Sequence, residues 1–516
     1  MTMQKFYITT PIYYVNDVPH IGHAYTTTAA DILARWHRLA GDDTYFLTGT
    51  DEHGAKIAEA AQKRGVSPQQ LCDENSATFK KAWETLNVSN DDFVRTTQKR
   101  HSDTVSLILK KMFDSGVIYK KKYEGLYCVP CEKFLSEEDL NEDKCCPDHK
   151  QKPVTHSEEN YFFKLSQYKD ELTRILENGD YAVFPIERRN ELLGKLKKTG
   201  LEDISISRAS LEWGIPLPFD EKQTAYVWVD ALVNYVSAIG YSDNPGKFKR
   251  YWPCDVHLMA KDILWFHGII WPAILLAAGL PLPKKMFAHG FFTIDGQKMS
   301  KTLGNVITPD QLVARFGTDA SRYLLISLFP FGVDGDISWK ALIERYNNDL
   351  ANNLGNLVSR TLTMAEKYFE GKVPEVKDAC LMPASIQVKE TLEPIAAHLD
   401  NFEFHLAIEK LQNAIDICNR LVQDKAPWKM AKENNPELPY VIFTLIQSIG
   451  LISIYLYPIM PSVSKTIWTG IGQKEDMLAA ALKFINKSDI ELPVMGSPVL
   501  KPQILFPRVD VPKISK

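Results

Sequence analysis

The order of apolar and polar residues predicts an N-terminal half in which strands alternate with helices. Residues 6–10 and 44–48 are rich in β-forming side chains, and the second run leads to Asp51. Residues 23–39 between them carry apolar side chains at helical spacing and stop before Gly41. Further helices are predicted at 53–64, 68–86 and 98–115. Such alternation favours an α/β fold, with a parallel sheet covered by helices.

This pattern is interrupted once and then replaced. Short β-like pieces at 121–127 and 160–165 surround a group of cysteines, and strand-like stretches return at 225–230 and 255–260. From about residue 346 the pattern is almost purely helical. We therefore predict a nucleotide-type sheet domain that is split by an insertion and followed by an all-α domain. The predicted parts are 1–116 and 225–345 for the two halves of the sheet domain, 117–224 for the insertion and 346–516 for the helical domain.

One apolar stretch, residues 442–460, is long enough to span a bilayer. Gln447 and Ser453 interrupt it, and Pro458 and Pro461 break its end. We therefore predict a buried helix of the helical domain and no membrane association.

Composition places the chain among globular proteins. It has 516 residues, 45% hydrophobic and 24% charged, which excludes a disordered or fibrous chain and suits about three or four domains. The net charge of −4 gives no general basic field, so any contact with nucleic acid must come from local patches. The first residues lack the basic and apolar regions of a secretory signal, so none is expected.

Four of the eight cysteines lie between Cys128 and Cys146. Cys128 and Cys131 are separated by two residues, as are Cys146 and His149, and this is the spacing of a zinc knuckle. Four ligands close the coordination shell, which indicates one structural Zn²⁺ per chain. Cys145 could replace Cys146, although Cys146 preserves the two-residue gap. The alternative is a group of reduced cysteines without metal, and either pattern favours a reducing compartment such as the cytoplasm.

Two motifs carry candidate nucleotide chemistry. Pro19-His-Ile-Gly-His23 stands where the first strand gives way to a helix, whose N-terminus favours anions. Its glycine allows close approach of a ligand, and its histidines can donate to phosphate oxygens. Asp295-Gly-Gln-Lys-Met-Ser-Lys-Thr-Leu-Gly-Asn305 forms a cationic loop that can close on a polyphosphate. Alone, the first could be a capped turn and the second a solvated loop.

Together and in this order, the two motifs resemble the signatures of class I aminoacyl-tRNA synthetases, whose catalytic domain is a split Rossmann-type sheet. Other stretches resemble one family in this class, the methionyl-tRNA synthetases. They are Thr10-Pro-Ile-Tyr-Tyr-Val-Asn16, Gly49-Thr-Asp-Glu-His-Gly54, Tyr226-Val-Trp-Val-Asp230, Lys261-Asp-Ile-Leu-Trp-Phe-His267, Asn356-Leu-Val-Ser-Arg360 and Lys425-Ala-Pro-Trp428. The knuckle with one histidine ligand resembles one subgroup of the family.

The resemblance implies an enzyme, a methionine–tRNA ligase, that converts L-methionine and ATP to methionyl-adenylate and then transfers methionine to the terminal adenosine of tRNA(Met), including the initiator tRNA. It implies that Asp51 pairs with the methionine ammonium and that a set of mostly apolar residues surrounds the thioether. This set is Ile12, Tyr14, Trp228, Ala231, Leu232, Tyr235, Ile263, His267 and Trp271. His267 and Trp271 are four apart, so they share a helix face.

For ATP, the resemblance implies that His20, Gly22 and His23 hold the phosphates and adenosine, and that Asp262 binds the ribose. Lys298 and Lys301 stabilise the transition state and the leaving pyrophosphate, so the implied catalytic residues are these two lysines and the two histidines. Mg²⁺ accompanies ATP.

In the helical domain, the resemblance implies that Asn356, Arg360 and Trp428 bind the anticodon. Asn356 and Arg360 share a helix face, and Trp428 offers a plane on which a base can stack. The chain stops soon after this domain, so a further dimerising domain is not expected and a monomer is favoured.

Two other classes of protein remain open. A stand-alone nucleotidyltransferase could share the histidine motif, but it would not need Arg360 and Trp428. A non-catalytic tRNA-binding relative would be expected to lose His23, Asp51 or Lys301, and all three are present.

Overall fold

The computed structural model describes residues 4–128, 133–135, 137–147, 150–209, 211–299, 304–377, 382–487, 492–500 and 504–510. The strands in this part of the chain are β1 Lys5–Tyr14, β2 Asp43–Asp51, β3 Asp92–Arg95, β4 Ile118–Cys128, β5 Lys133–Leu135, β6 Val154–Phe163, β7 Ala182–Phe184, β8 Ile204–Ser205, β9 Ser207–Arg208, β10 Pro216–Leu217, β11 Asp220–Ala225, β12 Val256–Ala260, β13 Lys285–His289, β14 Phe292–Ile294, β15 Gln297–Lys298 and β16 Gly335–Ile337.

The α-helices follow the same numbering along the chain. They are α1 Ile21–Ala40, α2 Ala55–Arg64, α3 Pro68–Thr85, α4 Lys99–Asp114, α5 Lys169–Asn178, α6 Ile186–Thr199, α7 Val227–Leu232, α8 Asn234–Ser237, α9 Pro245–Tyr251, α10 Trp271–Ala277, α11 Pro309–Phe316, α12 Thr318–Ser327, α13 Trp339–Arg345, α14 Asn356–Tyr368, α15 Pro383–Leu392, α16 Ile395–Asp400, α17 Phe404–Lys425, α18 Pro427–Lys432, α19 Leu438–Leu456, α20 Pro461–Gly470 and α21 Met477–Lys487. Phe266–Ile270 and Tyr346–Gly355 are π-helical.

The central sheet has six strands in the order β3-β2-β1-β12-β13-β7, and all of its pairings are parallel. The predicted parallel sheet is therefore confirmed. β1 pairs with β2 on one side and, through Ile8 and Val256, with β12 on the other. The strand order reverses between β1 and β12, and sheets of this kind bind ligands beyond the carboxyl ends of the strands at such a point.

Helix α1 follows the predicted helix closely. It ends at Gly41, whose φ of 93° lies in the left-handed region that a glycine adopts without strain. The amide of Gly41 donates to the carbonyl of Arg38 at 3.1 Å, so the last turn is satisfied.

The strand-like assignment over 225–230 is wrong beyond Ala225. β11 ends at Ala225, and the chain then turns into the six-residue helix α7. Its alternating aromatic and β-branched side chains are typical of a strand. However, β11 pairs with β9 and β10 in a separate small sheet. Val227, Val229 and Asp230 follow it in the short helix α7, and all three are buried.

The predicted insertion contains a four-stranded sheet in the order β5-β4-β6-β8, in which β4 ends at Cys128. It also contributes β7, which pairs in parallel with β13 and forms an edge of the central sheet. The chain therefore returns to the central sheet before it reaches residue 225. The four predicted domain boundaries stay predictions.

The apolar stretch near residue 450 forms helix α19, the one helix among the described residues that is long and apolar enough to cross a membrane. Of its apolar window, 83% is buried inside the protein. It packs against α15, α17 and α20. The prediction of a buried helix in the helical domain is confirmed.

Arg322 joins the sheet domain to the helical domain. Its guanidinium is fully buried, lies 2.7 Å from Asp31 on α1 and donates to the carbonyls of Pro458 and Ile459 beyond α19. Burial opposes ionisation of Asp31, but Arg322 and Arg35 outweigh it and lower the pKa of that carboxyl group. The two domains are thus connected through a paired charge as well as through apolar packing.

We predict that Arg322→Ala destabilises the protein by roughly 3–5 kcal/mol, because it leaves a buried carboxylate without its main partner. Urea unfolding measures the loss. Arg64→Ala is the control, since Arg64 and Glu74 form an exposed pair whose loss should hardly change the free energy of unfolding. Equal effects of the two substitutions would contradict a stabilising role for the buried pair.

Candidate functional site

Predicted site residues from both halves of the chain meet at the carboxyl edge of the central sheet. Ile12 and Tyr14 lie near the end of β1, and Asp51 is the last residue of β2. Asp262 and Ile263 follow β12 directly, in a 3₁₀ turn. Because the strand order reverses between β1 and β12, these residues border the crevice in which such a sheet binds its ligand.

The histidine motif forms the first turn of α1. His20 is the N-cap: its Nδ1 accepts from the amide of Gly22 at 3.1 Å, and its own amide donates to Nδ1 of His23 at 3.3 Å. The two rings stack with centroids 3.8 Å apart. Since each Nδ1 is an acceptor, each neutral imidazole carries its hydrogen on Nε2 and keeps that donor for a ligand.

Burial keeps both imidazoles neutral near pH 7. It lowers the pKa of His20 to about 4, and it lowers the pKa of His23 well below the usual value, with a further contribution from His20. The motif therefore offers directional N–H donors without net charge. A positive charge for an anionic ligand must come from another segment.

The lysine loop begins in the hairpin of β14 and β15. Its turn residues Asp295 and Gly296 have φ of 49° and 74°. The backbone of Lys298 lies in β15, whereas Lys301 lies outside the described residues.

Both ends of this loop contact the start of α1. The methyl group of Met299 lies 3.8 Å from the position that a Cβ atom on Gly22 would occupy. At the other end, the amide of Ile21 donates to the carbonyl of Ile307 at 2.9 Å. The residues that flank the lysine loop on both sides therefore lie beside the histidine motif.

Three residues predicted to surround methionine, Tyr235, His267 and Trp271, form one aromatic cluster. His267 Nδ1 lies 3.1 Å from the carbonyl of Ile263, so Nδ1 donates and Nε2 accepts from the hydroxyl of Tyr235 at 2.7 Å. Burial lowers the pKa of His267 to about 4, so the imidazole is neutral near pH 7 and its two hydrogen bonds determine the tautomer. The Tyr235 ring also contacts Trp271, with centroids 5.9 Å apart. His267 and Trp271 both face Tyr235, as their spacing predicted.

Further hydrogen bonds connect this cluster to the central sheet. Trp271 Nε1 donates to Nε2 of His257 at 3.3 Å, and the other ring nitrogen of His257 lies 2.7 Å from the hydroxyl of Thr9 on β1. Burial lowers the pKa of His257 well below its usual value. The pocket is thus joined to the central strand by neutral hydrogen bonds.

Helix α7 brings Trp228, Ala231 and Leu232 to the same region. The Trp228 ring stacks on Phe266 with centroids 3.8 Å apart and meets His267 edge-on at 6.4 Å. Phe266 begins the π-helical segment, and such segments are frequent at functional sites. Apart from Ala231 and His267, the members of the predicted set belong to one hydrophobic cluster or pack against it.

Several polar residues near Asp51 were not predicted. The buried carboxylate of Glu52 accepts from Arg95 and Thr97, and the Glu52 carbonyl accepts from Nε1 of Trp213 at 2.6 Å. His53 pairs with Asp230 of α7 at 2.6 Å. Glu52, His53 and Asp230 belong to the motifs that carry the family resemblance, but the sequence gives no sign that they meet.

In the cysteine group, Cys128 and Cys146 are both buried and pack with Leu135 in one small cluster. Cys145 is partly exposed, and its sulfur lies 3.6 Å from the carbonyl of Asp143. Cys131 and His149 lie outside the described residues. Among those described, there is no group of three or more His, Cys, Asp or Glu side chains that could hold a metal.

The helical domain contains a cavity of about 280 Å³ that includes two of the three predicted anticodon residues. Its lining residues are Asn352, Asn353, Arg360, Asn419, Val422, Gln423 and Trp428. The four amide side chains were not predicted.

Asn356 and Trp428 differ in their relation to this cavity. The Asn356 side chain donates to the carbonyl of Asn352, one turn earlier, at 2.9 Å and is not part of the lining. Trp428 follows Ala426, whose φ of 44° turns the chain from α17 into α18, and its side chain is 45% exposed. Such exposure argues against a core-packing role and suits a plane on which a base can stack.

Comparison with known proteins extends this resemblance over the chain. The family described as "tRNA synthetases class I (M)" matches residues 6–152 and 136–362, and the "Anticodon-binding domain of tRNA ligase" matches residues 386–494. A methionine–tRNA ligase of Caldanaerobacter subterraneus subsp. tengcongensis is 45% identical over 99% of this chain and 80% of its own length. One of Streptomyces coelicolor is 42% identical over 98% of this chain and 97% of its own length.

This chain belongs to the methionyl-tRNA synthetase family. A solved family member, the Mycobacterium tuberculosis methionyl-tRNA synthetase in complex with methionyl-adenylate, has a TM-score of 0.91 and 36% identity, covering 98% of this chain and all of the other. The free form of the same enzyme gives a TM-score of 0.85 over 99% of each chain. The family's catalytic sheet and helical anticodon-binding domain are therefore both present here.

We predict that Gly22→Ala lowers methionine-dependent ATP–pyrophosphate exchange by about 100-fold, because small displacements of positioned groups cost that much. A Cβ atom at this position would come within 2.9 Å of the His20 ring and displace it. Gly194→Ala on α6 is the control, since a Cβ there meets no atom within 4 Å. Equal exchange rates in the two variants would show that the ring position is not critical.

Proposed function

We propose that the protein is a methionine–tRNA ligase that activates L-methionine with ATP and transfers it to tRNA(Met), including the initiator tRNA. The observation that carries this proposal is the buried Tyr235–His267–Trp271 cluster, together with Asp51 at the carboxyl end of β2. It occurs in a chain that is 36% identical to an enzyme solved with methionyl-adenylate.

Methionine fits this space by chemistry as well as by resemblance. The Asp51 carboxylate would pair with the ammonium group, and Ile12, Tyr14 and Ile263 would line the wall nearest the sheet. Trp228, Ala231 and Leu232 from α7 and Trp271 from α10 would surround the thioether, since aromatic rings beside sulfur contribute roughly 0.3–1.5 kcal/mol each.

ATP would lie across the start of α1. The Nε2 donors of His20 and His23 would hold phosphate oxygens, Gly22 would allow close approach, and Asp262 would accept from the ribose hydroxyls. Lys298 and Lys301 would supply the positive charge that the neutral histidines lack. Mg²⁺ would enter with ATP as part of the substrate.

The first step is a displacement at phosphorus. A carboxylate oxygen of methionine attacks the α-phosphorus, the bond to the bridging oxygen breaks, and pyrophosphate leaves. In the second step, a hydroxyl of the terminal adenosine of the tRNA attacks the methionyl carbonyl and AMP leaves. Catalysis then rests on positioning and charge stabilisation and needs no covalent enzyme intermediate.

ATP–pyrophosphate exchange with a panel of amino acids tests this function. We expect exchange with methionine and little with isoleucine, valine or leucine, followed by aminoacylation of tRNA(Met). Exchange that requires a nucleophile other than an amino acid to accept the adenylyl group would support a stand-alone nucleotidyltransferase. Binding of tRNA without exchange would support a non-catalytic relative.

We also propose one structural Zn²⁺ held by Cys128, Cys131, Cys146 and His149. The joint burial of the Cys128 and Cys146 thiols supports it, because two thiols with so little surrounding apolar material are better explained as ligands than as core. When bound, the ion would hold β4 and the segment around Cys146 together, at a distance from the catalytic edge.

We predict that Cys146→Ser lowers the zinc content of protein purified without added metal, whereas Cys145→Ser does not. The reason is that Cys146 is buried in one cluster with Cys128, while Cys145 is partly exposed and its sulfur contacts the carbonyl of Asp143. Elemental analysis of the two variants and the wild type gives the answer. The opposite pattern would make Cys145 the ligand, and zinc-free wild-type protein would refute the site.

For the anticodon, we propose that the cavity near Trp428 receives a base, with Trp428 as the stacking plane and Arg360 as a donor to the base edge. Asn356 would act at the margin of this cavity, from its position one turn after Asn352.

We predict that Trp428→Ala lowers kcat/KM for tRNA(Met) by the equivalent of roughly 1–3 kcal/mol and leaves pyrophosphate exchange unchanged. Because the side chain is 45% exposed, the melting temperature should change little. Phe113→Ala, which truncates another exposed aromatic on α4, is the control. An equal loss of exchange and aminoacylation would contradict an anticodon role.

Two further properties stay predictions. A monomer is expected, and light scattering in solution tests it. A cytoplasmic location is proposed because aminoacylation requires tRNA and because the cysteine pattern suits a reducing compartment.

A further inference from the structure

A buried charged cluster lies outside the residues assigned so far. The carboxylate of Asp230 on α7 is completely buried, and each of its oxygens accepts one hydrogen bond. His53 Nδ1 donates to one oxygen at 2.6 Å, and His101 Nε2 donates to the other at 2.7 Å. The remaining nitrogen of His101 lies 2.9 Å from the hydroxyl of Ser237 on α8.

The surroundings of Asp230 favour its ionised form. Burial opposes ionisation of Asp230, but the two histidines outweigh it and lower its pKa to about 2. Burial also disfavours the charged form of His53, yet the neighbouring Asp230 outweighs that effect and raises its pKa. Asp230 is thus a buried carboxylate that accepts from both imidazoles, and the direction of each hydrogen bond is fixed.

The three partners come from three different elements. His53 lies two residues after Asp51, in the turn that follows β2, whereas His101 lies on α4. Asp230 lies on α7 between Trp228 and the pair Ala231 and Leu232. The cluster therefore connects the end of the pocket that would bind the ammonium group with the side that would surround the thioether.

Neither α7 nor the turn after β2 is held in position by its own local structure alone. α7 has six residues and no side-chain hydrogen bond at its N-cap, and so short a helix is not stable by itself. The turn after β2 is tied on its other side, where Glu52 accepts from Arg95 and Thr97. Asp230 supplies the link from this fixed turn to α7.

We propose that Asp230, through its hydrogen bond from His53, is a positioning residue that sets the distance between Asp51 and the α7 wall of the methionine pocket. An apolar residue could fill the same space, but it would not fix the rotation of α7 about its axis. This inference rests on the proposed function, since it names methionine as the ligand whose site is held.

Steady-state pyrophosphate exchange separates positioning from simple stability. We expect Asp230→Asn and His53→Ala each to raise the KM for methionine by about tenfold or more while the KM for ATP changes less than about twofold. His53→Asn should restore a KM for methionine close to that of the wild type, because the amide nitrogen of asparagine can occupy the place of Nδ1 and donate to Asp230.

Asp255→Asn is the matched control. Asp255 is also buried in the sheet domain, where it accepts from the amide of Tyr7 and pairs with Lys5 and Lys284 at the start of β12, far from the carboxyl edge. This variant should lose melting temperature without a change in the KM for methionine.

Three results would overturn the proposal: an unchanged KM for methionine in His53→Ala, a parallel rise in the KM for both substrates, or no difference between His53→Asn and His53→Ala. If Asp230→Asn does not fold, the two His53 variants decide the matter. A wild-type enzyme without methionine-dependent exchange would instead refute the proposed function, so the two failures are distinguishable.

Discussion

The pairing of β1 with both β2 and β12 is the constraint on which the rest of this structure depends. Val256 meets Ile8 although nearly 250 positions separate them along the chain, and the side chain of Asp255 accepts from the amide of Tyr7 at 2.8 Å at the start of this pairing. This pairing joins the two halves of the sheet, which the long insertion separates along the chain. It brings Asp51 from the first half and Asp262 from the second to one edge, so neither half alone contains a ligand site.

Around that edge, the protein uses buried or partly buried neutral histidines as directional hydrogen-bonding groups. His20 and His23 accept backbone amides through Nδ1 and keep Nε2–H, whereas His267 donates through Nδ1 and accepts from Tyr235. A neutral imidazole has one donor and one acceptor, so the first bond that it makes determines the role of its other nitrogen. His53 differs because a carboxylate, Asp230, lies beside it and favours its charged form.

The catalytic sheet and the helical domain are joined by one core. Trp36 of α1 stacks near Tyr455 of α19 with centroids 6.0 Å apart, and Arg322 bonds to both sides of the junction. Helix α1 therefore carries the histidine motif at its start and the domain junction along its length. The cavity near Trp428 is connected to the catalytic edge through packed helices.

The sequence by itself determined the parts of the protein that depend on local order. Apolar periodicity located α1 with its stop at Gly41, and it identified α19 as a helix of the helical domain. The two motifs, taken together and in their order along the chain, indicated the class of chemistry, whereas each of them alone also suits a capped turn or a solvated loop. The order of residues along the chain did not identify residues 226–232 as a helix. Their side chains are typical of a strand, but the neighbouring strand β11 pairs in a separate small sheet and this segment forms α7. Nor could local order join His53, His101 and Asp230, or the amides of Asn353 and Asn419 beside Trp428. These groups meet only because the sheet and the helices pack as they do, and packing is decided by contacts between residues that are far apart in the chain.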